Sequence, residues 1–338
     1  MTEAEQGAIR SDYRVLIVGC GQLGSRHLQA VARLPEVKVI EVVDPRPAAL
    51  ELGRERLSEI SERSPSTTVR WLSSLQEATA GGDLCIDATL ARGRCQRVRE
   101  VAEDLGYSSF LLEKVVSQSV REMEDLAEFC REKGINARVN CKGRASRFHL
   151  RAKKRINPGD PVIFNVVGGN HGLATNGIHA VDLFTFYDGT SSIESAGSRI
   201  DPVLHPSKRG ADVFDLSGTL NGYTEKGSLF SLTYAPDHQH YEHFSIATRQ
   251  YRCFVDQLKQ WAIESDADSG WAWREVPFDG PILVSEMTTV FAADILASGG
   301  CDLPTLPEAL VAHRYVLNEL QPHFNRLMDR DLDSCPVT

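Results

Sequence analysis

The apolar run Val15-Leu16-Ile17-Val18 leads directly into Gly19-Cys20-Gly21-Gln22-Leu23-Gly24, and that loop into the helix-compatible Ser25-Arg26-His27-Leu28. A buried strand, a glycine turn and a helix in immediate succession leave few folds open. Gly19 permits the tight turn, Gly21 lets the backbone approach a pyrophosphate, and Gly24 lets the helix pack close to the sheet. The helix N-terminus then offers unpaired N–H groups and partial positive charge to phosphates. Asp44 follows twenty positions after Gly24, at the end of a second apolar run, Val37 to Val43. Its carboxylate can accept both hydroxyls of an adenosine ribose, which favours NAD and repels a 2′-phosphate. Arg46, two positions further on, can pair with such a phosphate, so NADP stays open.

The pattern beyond this loop predicts an α/β chain with a doubly wound, parallel N-terminal sheet. Strand-like segments at 14–18, 38–43, 69–72, 84–88, 110–112 and 137–139 alternate with helix-like segments such as Cys95-Val98-Ala102-Leu105 and Val120-Met123-Leu126-Cys130. Such alternation implies parallel pairing through right-handed crossovers. The fourth strand ends at Thr89, and the fifth ends in Glu113-Lys114. From about residue 141 the pattern changes. A basic helix candidate, Arg147 to Ile156, is followed by a strand at 161–167 and a helix from Ile178 to Tyr187. Strand-like runs then fill 193–255, with Asn221-Gly222 and Lys226-Gly227 reading as tight turns of an antiparallel meander. Helices are expected at 282–297 and 307–320, the second capped by Thr305. The expected organisation is a disordered leader at 1–12, a dinucleotide-binding domain at 13–140, a substrate and oligomerisation domain at 141–325, and a flexible tail at 326–338.

Composition narrows the partners. A net charge of −9 argues against general nucleic-acid binding, which needs clustered cations. No apolar run reaches the length of a membrane span, and the polar N-terminus is no secretory signal. The eight cysteines are scattered without a C-x-x-C pair, so they read as reduced and buried in a cytoplasmic protein, with no metal site expected. His238, His240 and His243 cluster in a hairpin candidate, but surface histidines are commoner than ligands.

Three segments resemble the Gfo/Idh/MocA family of oxidoreductases, also called the glucose–fructose oxidoreductase family. They are Gly19-x-Gly21-x-x-Gly24-x-x-His27, Glu113-Lys114 at the position of the family's Glu-Lys-Pro, and Gly177-Ile178-His179-Ala180-Val181-Asp182 in place of its G-x-H-x-x-D. Leu303-Pro-Thr-Leu-Pro-Glu-Ala-Leu310 resembles the family's closing helix. The resemblance implies a Rossmann domain followed by an α+β domain with a large, open, mostly antiparallel sheet. It further implies a nicotinamide cofactor, a sugar, cyclitol or nucleotide-linked sugar as substrate, a role in surface-glycan or sugar-nucleotide metabolism, and a homodimer or homotetramer built through that sheet. The chain departs from the pattern at three places. Val115 replaces the proline, and a trans bond is expected before it because cis valine is costly. Thr175 stands where the family has an acid, and Arg94 where it has a histidine after the fourth strand.

These residues suit hydride transfer at a carbinol carbon. His179 is the candidate base, Lys114 the cation that stabilises alkoxide character, and Asp182 a partner on the same helix face that orients the imidazole or binds a hydroxyl. The candidate cofactor contacts are Gly19, Cys20, Gly21, Gln22, Leu23, Gly24, Asp44, Arg46, Thr89 and Glu113; the candidate substrate contacts are Asn140, Arg144, His171, Thr175 and Asn176. The basic run Lys142, Arg144, Arg147, Arg151, Lys153, Lys154 and Arg155 reads either as a grip on an anionic substrate or as a solvated helix face. Two further readings share the fold: a dinucleotide-binding sensor without catalysis, and an enzyme of another reaction that uses NAD transiently.

Overall fold

A computed structural model describes residues 11–169, 172–238 and 242–338. His171 and His240 therefore lie outside the described residues, as does nearly all of the expected leader. The first layer comprises β1 (Tyr13–Val18), α1 (Gly24–Val31), β2 (Val37–Val43), α2 (Pro47–Ser58), β3 (Thr68–Leu72), β4 (Leu84–Asp87), α3 (Arg94–Leu105), β5 (Ser109–Leu112), α4 (Val120–Lys133) and β6 (Asn136–Val139). Its strands form one parallel sheet in the order β3-β2-β1-β4-β5-β6. The order reverses between β1 and β4, and that switch point opens a crevice at the carboxyl ends of the strands.

The second layer comprises α5 (Arg147–Lys153), β7 (Ile163–Gly169), α6 (Gly177–Asp188), β8 (Glu194–Ile200), β9 (His205–Pro206), β10 (Phe214–Asp215), β11 (Gly218–Tyr223), β12 (Leu229–Ala235), β13 (His243–Ala247), β14 (Tyr251–Asp256), β15 (Trp261–Asp266) and β16 (Arg274–Pro277), and the chain closes with α7 (Val284–Ser298) and α8 (Leu306–Met328). Eight of these strands form a sheet in the order β16-β15-β14-β13-β7-β12-β11-β8. Its pairs are antiparallel except β7 with β12. The α/β class with a Rossmann-like sheet and a large, mostly antiparallel sheet is thus as expected.

Alternation along β7 shows how the second sheet packs. Phe164 and Val166 are buried, whereas Ile163 and Val167 are exposed on the opposite face. The buried face meets α6, where Phe164 and Phe184 lie with ring centroids 5.9 Å apart, and Phe184 meets Phe230 at 5.0 Å. One continuous apolar core runs from Leu16, Val18 and Phe110 of the first sheet into this layer.

Four expectations change. Asn221-Gly222 is no turn: it lies inside β11, because the Phe230 ring and Ile193 fill the space a side chain at Gly222 would need. The turn falls at Glu225 to Gly227 instead, where Gly227 has φ +81°. Helix α7, assigned to the second domain, packs on α1 and completes the first core through Met287, Phe291 and Ile295. The tail expected to be flexible is docked, since α8 continues to Met328 and Cys335, Val337 and Thr338 are buried. Finally, the Lys114–Val115 peptide is cis, against the trans geometry expected without proline.

The cysteines are unpaired and buried apart from Cys301, which is half-buried. Among the described residues no helix is long and apolar enough to cross a membrane, and no His, Cys, Asp and Glu group is arranged to hold a metal.

The glycine loop depends on direct backbone contact. Gly19 takes φ +87°, and a Cβ at Gly24 would stand 1.8 Å from the Gly19 carbonyl oxygen. Gly24→Ala is therefore expected to reduce stability by about 1–3 kcal/mol through overpacking. Urea unfolding measures this, and an unchanged midpoint would show that the loop relaxes without strain.

Candidate functional site

The expected cofactor residues gather at the switch point. Thr89, just beyond β4, abuts Gly19 of the loop and donates from its hydroxyl to Asp87 at 2.5 Å. The direction of a side chain at Gly21 meets nothing nearer than the tip of Arg46, 3.6 Å away, so that backbone is free for a close-lying ligand. Asp44 is buried and heavily committed. It accepts from the Cys20 N–H at 2.9 Å, from the Arg46 N–H at 3.0 Å and from two guanidinium nitrogens of Arg46 at 3.0 Å. The Arg46 side chain is 70% exposed and can swing away. Asp44 also lines a cleft of about 450 Å³ with Pro45, Leu50, Arg54 and Ser73. Gln22 is bonded by Arg56, so this loop is braced from α2. The residues present therefore fit a dinucleotide: an open glycine cradle at a helix N-terminus, and an acid with a movable guanidinium beyond it.

Glu113 sits at the end of β5, completely enclosed. Its Oε1 lies 2.9 Å from His27 Nε2 and accepts from Asn140 Nδ2 at 2.5 Å. His27 Nδ1 lies 2.9 Å from the Thr288 hydroxyl of α7. Burial opposes the carboxylate charge, but the His27 bond and charge, Asn140 and Lys114 overcome it and hold Glu113 at about 2. Asn140, expected to touch substrate, instead serves this network, although its Oδ1 remains buried without a partner.

Lys114 is buried, and its ammonium donates to the Thr175 carbonyl at 2.6 Å. Burial lowers its pKa to about 8, helped by Arg209 and opposed by Glu113, Cys141 and Asp215. His179, near the start of α6, has Nδ1 buried without a hydrogen-bond partner. Burial, then the charges of Lys114 and Lys142, push it well below its ordinary value, so it is neutral near pH 7. Thr175 donates to Asp215 at 2.5 Å, which places an acid in direct contact with the position where the motif lacks one. Asn176 lies in the same loop and accepts from the His179 N–H at 2.9 Å through its carbonyl.

Two expected contacts are engaged with each other: Asp182, read as orienting His179 or binding a hydroxyl, and Arg144, read as a substrate contact, form a buried pair at 2.7 and 2.8 Å. The basic run is likewise engaged internally. Arg151 pairs with Asp279 at 2.7 Å, Arg155 with Glu264 at 3.1 Å, and Lys153 donates to the Tyr187 carbonyl at 2.7 Å.

Several residues at the site were not among the expected contacts. Arg94 is fully buried and donates to the carbonyls of Thr89, Glu113 and Val115, and to Asp87. His313 of α8 accepts from the Val116 N–H at 3.1 Å, its Nδ1 lying 2.7 Å from the Ala309 carbonyl oxygen. Glu242, just before β13, accepts a hydrogen bond from the Tyr234 hydroxyl of β12 and lies within electrostatic range of Lys114. Their sequence distance from the motifs hides them. Only pairing across β7, β12 and β13 brings them in.

No known protein-family profile matches the chain, and no curated protein matches it in sequence. Solved structures do share its fold. An oxidoreductase from Agrobacterium radiobacter, in complex with NAD+, L-tartaric acid and magnesium, superposes with TM-score 0.71 at 16% identity, covering 90% of this chain and 94% of that one. KijD10, a 3-ketoreductase from Actinomadura kijaniata in complex with NADP, gives 0.67 at 16% identity, covering 90% and 96%. The WlbA dehydrogenase from Bordetella pertussis, in complex with NADH and UDP-GlcNAcA, gives 0.65 at 18% identity, covering 92% and 97%.

The Glu113 network makes stability depend on pH. Its depressed carboxyl contributes stability that is present above pH 4.5 and is lost as pH falls through about 2. That difference corresponds to about 3 kcal/mol. Glu113→Gln is expected to flatten the acid limb of a urea-stability profile over this window. An acid limb identical to wild type would show that Glu113 is not the group responsible.

Proposed function

We propose that the protein is an NAD(P)-dependent oxidoreductase that moves a hydride between nicotinamide and a carbinol or carbonyl carbon of a sugar, cyclitol or nucleotide-linked sugar. The observation that carries this reading is Lys114. It is a buried ammonium at the carboxyl edge of a Rossmann-like sheet, one residue from the Glu113 network, with its pKa lowered to about 8. Its hydrogen bond goes to the neutral Thr175 carbonyl, and burying an ammonium against such an acceptor is costly, which favours a use for the charge. The neighbours in fold bound to NAD+, NADP and NADH, with a hydroxy acid or a sugar nucleotide beside two of these, support the same reading.

Gly19 to Gly24 and Asp44 would hold the dinucleotide, with Arg46 deciding between ribose hydroxyls and a 2′-phosphate. The bound nicotinamide supplies or accepts the hydride. The protein's share is the proton at the reacting oxygen. A general acid or base works best with a pKa near the working pH. Lys114 meets that condition, and His179 does not, since it stays neutral and weakly basic in this environment. Lys114 is therefore assigned the proton transfer, and His179 a hydrogen bond to the substrate oxygen through its unpartnered Nδ1.

The sign of the pH dependence follows. For carbonyl reduction the protonated ammonium donates, so kcat/KM is high below pH about 8 and falls as the pH rises. For alcohol oxidation the neutral amine accepts, and the dependence is reversed. Lys114→Ala is expected to lower turnover by about 10²–10⁴-fold while NADH binding persists. Nicotinamide absorbance with a panel of sugars, inositols and nucleotide sugars measures both. Bound NADH with no turnover of any compound would instead favour a dinucleotide-binding sensor.

The exposed face of the large sheet is assigned to a second copy of the chain. Ile163, Val167, Leu229, Phe254 and Trp261 present apolar surface there, opposite the helix-covered face. Contiguous apolar area of this kind marks an interface. Sedimentation velocity is expected to show a dimer or tetramer, and Phe254→Lys to shift it toward monomer. A monomeric wild type at micromolar concentration would refute the assignment.

A further inference from the structure

Lys114 is held at its two ends by different layers. Arg94 donates to the carbonyls of Glu113 and Val115, so the backbone on either side is fixed within the first layer. The ammonium stands at the far end of a flexible four-carbon stem. Among the described residues, the acceptor it meets is the Thr175 carbonyl, at 2.6 Å. That carbonyl belongs to the second layer, in the turn that precedes α6. The place of the free end of the side chain therefore depends on what fixes Thr175.

Asp215, the last residue of β10, is buried and grips that turn from outside. Its Oδ1 accepts from the Ala174 N–H at 2.9 Å, the Thr175 N–H at 3.3 Å and the Leu216 N–H at 2.9 Å, and its Oδ2 accepts from the Thr175 hydroxyl at 2.5 Å. Next to it, the Leu216 carbonyl accepts from the Leu173 N–H at 3.1 Å. Donors converging in this way call for an acceptor-only group, which a carboxylate is. A turn before a helix is commonly closed from within by its own N-cap side chain. Asn176 holds that position here and makes no such bond. The clamp comes instead from β10, which pairs antiparallel with β9 and whose Phe214 N–H donates to the Pro336 carbonyl at 2.9 Å. Its charge also favours the ammonium: burial and Arg209 lower the Lys114 pKa, while Asp215 is among the groups that raise it.

We infer that Asp215 is a positioning residue for Lys114: by clamping Thr175 it fixes the carbonyl that orients the ammonium, so that the second layer aims a group carried by the first. The catalytic consequence rests on the reading that Lys114 transfers the proton. A misplaced proton donor costs rate rather than ground-state affinity, so the effect falls on kcat. The clamp itself is open to measurement in the free protein, without a substrate.

The test uses the full chain with its lysines labelled at 13Cε, the Lys114 NMR signal being assigned by its loss in Lys114→Ala. Asp215→Ala removes the whole clamp. Thr175→Val removes only the hydroxyl bond and keeps the side-chain shape, and Thr175→Ser restores that bond. In the free protein the Lys114 signal is expected to move in Asp215→Ala and in Thr175→Val, and to stay at its wild-type position in Thr175→Ser. With NADH and any sugar, inositol or nucleotide sugar that wild type turns over, Asp215→Ala is expected to lower kcat tenfold or more, with KM and NADH affinity unchanged. Should Asp215→Ala fail to fold, the two Thr175 variants decide. The inference is overturned if the Lys114 signal keeps its wild-type position in Thr175→Val and in folded Asp215→Ala, or if the loss of activity lies in KM with kcat unmoved. A signal that moves as expected in a protein that turns nothing over supports the clamp and sinks the oxidoreductase reading alone. Turnover that survives Lys114→Ala would remove Lys114 from the proton transfer, whereas turnover lost in Lys114→Ala and untouched in Asp215→Ala would sink this inference alone.

Discussion

Everything at the crevice hangs on one buried guanidinium. Arg94 reaches from the first turn of α3 to the carbonyls of Thr89, Glu113 and Val115 while its Nε contacts Asp87. Those carbonyls belong to segments just past the ends of β4 and β5, where the sheet's own ladder has stopped and backbone acceptors need partners. A planar, permanently charged donor fork can satisfy several at once. By doing so it fixes the segment that carries Lys114, and His313 secures the same segment from the other side through the Val116 N–H. Positioning of the Lys114 amine is therefore a property of this knot rather than of the Glu113-Lys114 dipeptide itself.

A second network joins α7 to the first layer. Glu113, His27, Asn140 and Thr288 come from β5, α1, the end of β6 and α7, four places far apart in sequence. Their bonds stitch α7 onto the first sheet, which is why the late helix belongs to the early core. Because the carboxylate is enclosed and well bonded, it stays ionised and is unavailable as an acid. In the proposed function the proton chemistry is thereby left to Lys114, whose buried ammonium has a pKa lowered to about 8. The same low-dielectric setting acts in opposite directions on neighbours because one has strong partners and the other has few.

Much of the fold was legible beforehand. The parallel order follows from alternating apolar segments and the glycine loop, since strand, turn and helix in that succession admit little else. Asp44 was readable because its distance from Gly24 is set by one β-α-β unit. The second layer was read less well. Asn221-Gly222 looks like a turn by composition, but packing of Phe230 and Ile193 against Gly222 makes it strand. The basic run reads equally as an anion grip or a solvated helix face because charge in a sequence carries no information about partners. Asp182, Asp279 and Glu264, each distant in the chain, take up much of it.

By itself the sequence determined the class of fold, the glycine loop, the acid beyond it, and the presence of Lys114 and His179 near one site. These are local facts, written in spacing and residue type. Only the tertiary structure decided which groups meet. It paired Asp182 with Arg144, put Asp215 behind Thr175, and brought Glu242 within electrostatic range of Lys114. The reason is physical: burial obliges each polar group to find a partner, and the partner available is set by sheet register and helix packing, not by neighbourhood along the chain.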